Sequence, residues 1–212
     1  AVNQAARAIK IDEGDVFMAG GVENMTRGPF VVGKPEMGYP YGSKTMWDTA
    51  FGWRFPNPKM EEMYGTEGMG NTAENIQDEA HISREDQDVF ALRSHQRSVS
   101  AIDDGRFAEE IVPVSIPQRK GDPLIFDTDE RPRRDTTLEK LAKLRPAFRK
   151  DGTVTAGNAS GLNDGSSAIL IMSAEKADEL GLKPMARIIS SAAAGVQPRT
   201  MGMGPVPATK KA

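Results

Sequence analysis

Three features of the sequence predict an α/β fold. Short apolar runs bounded by Gly and Asn, at residues 15–19 and 168–172, have the length and edges of strands. Other segments repeat apolar residues every three or four positions and open on Ser, Thr or Asn, the pattern of capped helices. Between the two apolar runs, residues 28–150 mix Gly- and Pro-rich loops with helical stretches, so strand-and-helix pieces at both ends enclose an insert. At 212 residues the chain is long enough to bury a sizeable core and still carry such an insertion.

The elements follow in order. Residues 1–10, "AVNQAARAIK", place Val2, Ala5, Ala6 and Ile9 on one helical face, with no capping residue ahead of them. Residues 15–19 form an apolar strand that Gly20 and Gly21 break. Residues 28–70 lack periodicity, hold both Trp and read as long packed loops. Asn71 with Glu74 has capping-box spacing for a helix over 71–80, and Ser83 opens a second helix that Gly105 closes. Val112, Val114 and Ile116 alternate as in a half-buried strand, "QRKGDP" turns and "LIF" returns. A helix near 137–144 turns Leu138, Leu141 and Leu144 inward. "TVTAGNASGLNDG" is a run of small residues, apt for a backbone that lies close to another surface, and it feeds a buried strand at 168–172. Residues 174–181 are helical, 185–196 read as another buried strand, and Pro207 starts a last helix. A helix uncapped at its start and another stopped after one turn give both ends the look of cuts.

Composition narrows the function. The chain has no cysteine, which excludes disulfides, zinc-thiolate sites and a Cys nucleophile within these residues. No apolar run approaches a membrane span and no leader pattern is present, so a cytoplasmic protein without a membrane partner is expected. Net charge is -3, yet residues 131–150 carry eight basic against two acidic side chains. Such a block suits a solvated helix face, a mouth for a small polyanion or a nucleic-acid patch, the last disfavoured in a chain otherwise acidic. Of the two histidines, His95 shares a stripe with Leu92 and Val99 and His81 joins two helices; neither has an evident catalytic partner. No metal-ligand spacing and no phosphate loop occurs. Met69 and Met201 lie among glycines, where a thioether could line an apolar channel.

Seven segments, in order, carry a resemblance: "AGGVENMTRGPF" (19–30), "GMGNTAENI" (68–76), "ISREDQDVFALRS" (82–94), "GRFAEEIVPV" (105–114), "TTLEKLAKLRPAF" (136–148), "GTVTAGNASGLNDGSSA" (152–168) and "MGMGPVPAT" (201–209). Together they resemble the thiolase family of acetyl-CoA C-acyltransferases over essentially the whole chain. The stretch "TMWDTAFGWRFPNPKMEEMYGTEGMG" is more similar to the degradative and 3-oxoadipyl-CoA thiolases than to the short-chain biosynthetic ones.

The resemblance implies a layered αβαβα core, partial in this chain, with an inserted loop domain. Residues 1–27 and 151–183 would belong to the first half of the core, 28–150 to the insert that covers coenzyme A, and 184–212 to the start of the second half. It implies CoA and acyl-CoA as substrates, no bound cofactor or metal, no nucleic-acid partner, and a homodimer or homotetramer. Ala156, Ser160 and Leu162 match positions along the pantetheine arm, where a bulkier side chain would block the tunnel. Met69, Phe148 and Met201 match apolar positions around it, and Arg133 matches a basic residue near the nucleotide, with neighbouring Arg134 able to take its place. In the family a Cys thiolate accepts the acyl group, a His activates it and a second Cys exchanges the proton. No catalytic group matches within these residues; the nucleophile is expected upstream of Ala1 and the remaining groups beyond Ala212. His81 and His95 match non-catalytic positions. The alternative is a catalytically inactive acyl-CoA-binding or assembly fragment.

Overall fold

The computed structural model describes residues 1–39 and 41–212; Pro40, inside the stretch read as loop, lies outside the described residues. In chain order the elements are α1 (Val2–Lys10), β1 (Val16–Glu23), β2 (Phe30–Val32), β3 (Met46–Asp48), α2 (Pro58–Tyr64), α3 (Met69–Ala80) and α4 (Arg84–Asp103). They continue as β4 (Val114–Ile116), β5 (Leu124–Phe126), α5 (Leu138–Ala142), β6 (Gly165–Met172), α6 (Ala174–Glu179) and α7 (Pro205–Lys211). The chain divides into two compact units, one of Ala1–Thr72 with Leu162–Ala212 and one of Ala73–Gly161.

In the first unit β1 and β6 pair antiparallel, from Val16 opposite Met172 to Glu23 opposite Gly165. The apolar stripe of α1 covers one face of this pair: Ala5, Ala19 and Ile171 form the buried cluster, with Val2, Ile9 and Phe17 against it. Two expectations are corrected here. Gly20 and Gly21 do not break β1, which runs through both to Glu23. A Cβ on Gly20 would fall on the carbonyl oxygen of Ser167, so glycine is what lets the two backbones approach. Nor is β6 buried throughout. Alternate strand residues face opposite sides, and on the side away from α1 Met18 and Leu170 remain 77% and 56% exposed.

Residues 185–196 have no regular structure, although their apolar composition reads as a strand. A strand takes its ladder from a neighbour, and among the described residues none pairs with this segment. The 28–70 stretch is mostly irregular but contains a small ladder, Phe30 opposite Asp48 and Val32 opposite Met46, with Trp47 tilted against Phe55. It also contains α2, whose Asn57 side chain accepts from the Lys59 N–H. The last helix starts at Pro205, two residues earlier than expected, with proline in the first helical turn where its missing N–H costs nothing.

In the second unit α4 begins and ends as its sequence indicates. The Ser83 hydroxyl accepts from the Asp86 N–H at 3.0 Å. At the other end Gly105, with φ +69°, closes the helix with Arg106 N–H on Ala101 O and Gly105 N–H on Ile102 O. α3 differs from expectation: it starts at Met69, so Asn71 lies inside it and caps nothing. His81 takes the left-handed position after α3 with φ +54°, and the Ile82 N–H closes on Gln77 O, which accounts for this histidine by backbone geometry. α5 is capped by Thr137, but only Leu141 is buried; Leu138 and Leu144 stay partly exposed because five residues make too short a helix to turn all three inward. The expected β4–β5 hairpin forms, Val114 opposite Phe126 and Ile116 opposite Leu124. It is not half-buried, since every residue of both strands is exposed.

Candidate functional site: a small-residue loop held by buried carboxylates, and a methionine-lined cleft

The "TVTAGNAS" loop occupies the second unit and is fixed from beneath. Asn158 closes it on itself: Oδ1 accepts from the Thr155 N–H at 2.7 Å, and Nδ2 donates to Thr153 O at 3.0 Å and to Asp88 Oδ1 at 3.0 Å. Asp88 is buried and is compensated by Arg84 Nε at 2.8 Å; Arg84 also donates to the carbonyls of Leu141 and Leu144, tying α4 to α5. Glu74, on α3, is 0% exposed. Its carboxylate accepts from the Thr153 N–H at 2.9 and 3.0 Å, the Val154 N–H at 2.9 Å and the Thr153 hydroxyl at 3.1 Å. Arg149 supplies the compensating charge at 3.7 Å and pairs with Asp78. Gln87 donates to the Thr153 hydroxyl at 2.9 Å. Gly157 packs so tightly that an added Cβ would come within 2.5 Å of Leu144 Cδ1 and 2.6 Å of Leu141 Cδ2.

Ala156 and Ser160 stand on the exposed side of this loop. The loop therefore offers a smooth strip of small side chains and backbone over a rigid polar base, suited to an extended chain lying along it. Phe148, half exposed, follows Ala147, whose N–H donates to Val154 O at 2.9 Å, so its segment is pinned to the same loop. A Cβ on Gly161 would fall on the guanidinium of Arg131, which places that arginine against the end of the loop.

The basic block contributes a second feature of the same unit. The Arg133 N–H donates to His95 Nδ1 at 3.1 Å, so His95 anchors backbone rather than merely packing. Arg134 is committed to Asp103 through two hydrogen bonds of 2.6 and 2.8 Å. That fork holds the Asp103 carboxyl below the usual carboxylate range and raises the Arg134 guanidinium. The Arg133 side chain makes no hydrogen bond among the described residues, and its charge lies near Asp135.

Met69 and Met201 come together in the first unit. They line a cleft of about 550 Å³ with Trp53, Arg54, Tyr64 and Arg199. Loop contacts shape it: Trp53 Nε1 donates to Glu67 O at 3.3 Å and Arg54 Nη1 to Thr49 O at 2.9 Å. Leu162 belongs to the first unit and is half exposed. Two residues on, Asp164 accepts from the Thr26 N–H at 2.9 Å and the Thr26 hydroxyl at 2.6 Å, linking the "NDG" and "NMTRG" segments; these bonds hold its carboxyl below the usual range. Among the described residues no group of three or more His, Cys, Asp or Glu is arranged to hold a metal, and no helix is long and apolar enough to cross a membrane.

Sequence reasoning missed Glu74, Asp88 and Asn158 as the base of the loop. Periodicity finds apolar faces, whereas the inner face of α3 is polar: Thr72, Glu74 and Asn75 are its buried residues.

The second unit thus carries the small-residue loop and the basic segment, and the first the thioether-lined cleft. Residues 1–175 match the family model described as thiolase, N-terminal domain, and the chain belongs to the thiolase family. It is 53% identical over 211 residues to a β-ketoadipyl-CoA thiolase of Acinetobacter baylyi, a match covering 100% of this chain and 52% of that protein. It is 52% identical to the 3-oxoadipyl-CoA/3-oxo-5,6-dehydrosuberyl-CoA thiolase of Escherichia coli, again over 100% of this chain and 52% of the relative. In structure it resembles the crystal structure of the Bacillus anthracis acetyl-CoA acetyltransferase, with a TM-score of 0.85 and 45% identity, covering 100% of this chain and 52% of that one. The chain thus has the thiolase fold and spans about half the length of the curated relatives it matches.

Proposed function

We propose that this chain forms the CoA-binding half of a thiolase-type acyltransferase, which cleaves a 3-ketoacyl-CoA with free CoA to acetyl-CoA and a shortened acyl-CoA. The observation that carries the reading is the likeness along the whole chain to β-ketoadipyl-CoA thiolases, and it favours a dicarboxylic 3-ketoacyl group as substrate. Ala156, Ser160 and Leu162 line the pantetheine arm, Phe148 and the pair Met69 and Met201 give apolar contacts, and Arg133 meets the nucleotide phosphates. The engagement of neighbouring Arg134 by Asp103 supports that choice. Residues 28–150 serve as the CoA-covering insert. None of the 212 residues is a cysteine, so the thiolate that accepts the acyl group comes from outside them, and these residues bind and orient rather than break bonds. The protein works as a homo-oligomer, a reading supported by the exposed apolar side chains of the β4–β5 hairpin, among them Val114, Leu124, Ile125 and Phe126.

The test is calorimetric titration of the purified 212-residue chain with CoA, beside an assay for CoA-dependent cleavage of 3-oxoadipyl-CoA. CoA binding without turnover is expected, with affinity reduced about tenfold in Arg133→Ala, the loss of one charge-assisted phosphate contact. Turnover by this chain would overturn the external nucleophile, and no affinity for CoA would overturn the reading as a whole.

A further inference from the structure

We infer that Glu74 is a positioning residue for CoA, acting through the 153–160 loop; the inference rests on the proposed CoA-binding role of that loop. A fully buried carboxylate is a poor device for stability, because its desolvation offsets most of what its partners return. What it provides here is shape. Its two oxygens face two successive backbone N–H groups, those of Thr153 and Val154, and also take the Thr153 hydroxyl. Both amides share Oε1, which a glutamine oxygen could still supply, but the second oxygen, 3.0 Å from the Thr153 nitrogen, would become an amide nitrogen that points a donor at a donor. Gly152 is part of the same device, since a Cβ there would fall on the carboxylate.

The grip lies immediately before the strip that is to meet the ligand. From Val154 the chain passes to Thr155, fully buried, whose N–H is taken by Asn158, and then to the exposed Ala156. Asn158 is fastened in turn to Asp88. Glu74 fixes the entry of the turn and Asp88 its exit, so the outward direction of Ala156 and Ser160 is set by two carboxylates that touch no ligand. A loop built before binding spares the ligand the entropy of ordering it.

The experiment compares Glu74→Gln, Thr153→Val and Thr153→Ser with the unaltered protein. It reads CoA affinity by calorimetry well below the melting temperature, and hydrogen exchange at the Thr153 and Val154 amides. Gly121→Ala serves as a control, because it puts a side chain on a left-handed backbone in the β4–β5 turn of the same unit without altering the grip. In Glu74→Gln the Thr153 amide should exchange about tenfold faster and CoA should bind about tenfold more weakly. Thr153→Val should lose about threefold in affinity, Thr153→Ser should restore it, and Gly121→Ala should be less stable with affinity unchanged. Unchanged affinity in a folded Glu74→Gln protein overturns the inference. If that variant does not fold, equal affinities for Thr153→Val and Thr153→Ser overturn it instead. An unaltered protein with no affinity for CoA fails the functional reading and the inference with it, whereas normal affinity with unresponsive variants fails the inference alone.

Discussion

Gly157 sets how closely the small-residue loop lies on α5. Its missing side chain admits the δ-methyls of Leu141 and Leu144, and Leu141, 4% exposed, has no room to retreat. Gly157→Ala should therefore cost about 1–3 kcal/mol by overpacking, read as a shift of the denaturant midpoint with an unchanged slope. A variant as stable as the parent would contradict the packing described. At this scale the run of small residues was legible in the sequence, and Ala156 and Ser160 lie exposed in it, whereas the buried polar groups gave no signal. Glu74 has the spacing of a capping residue, and only the fold shows its carboxylate turned to Thr153 and Val154 instead. The Asp103 that engages Arg134 lies 31 positions away, so nothing in the sequence signalled that pairing.

Helices were legible because their signals are local. Ser83, Thr137 and Ser173 cap the helices they precede, and Gly105 ends α4, all within one turn of the residues they serve. Strands were less so, since pairing is decided at a distance. Gly20 reads as a break until the Ser167 carbonyl is seen against it, and 185–196 has the composition of a strand but no partner among the described residues. The β4–β5 hairpin is the element with the most to gain from a second surface. Ile116 and Leu124 are direct cross-strand neighbours and both are exposed. If this hairpin is where copies of the protein meet, sedimentation velocity should find a dimer or tetramer. Ile116→Asp with Leu124→Asp should shift it to the monomer, because like charges set opposite each other in the contact are left desolvated. Sedimentation unaffected by the double substitution would place the association elsewhere.

As a whole molecule the chain holds two units with different chemistry. The first carries the sheet under α1 and the methionine-lined cleft, and the second the polar-based loop, the hairpin and the basic block. The eight basic side chains of residues 131–150 all lie in the second unit. In the proposed complex the polyanionic nucleotide of CoA meets Arg133, and its extended neutral arm meets the loop at Ala156 and Ser160. The most direct measurement is hydrogen exchange of the chain with and without saturating CoA, resolved to single peptides. Slower exchange at 131–134 and 153–160, with β4–β5 unaffected, is the result expected of a CoA wall built on these residues. Protection confined to other segments, or none at all, would contradict it.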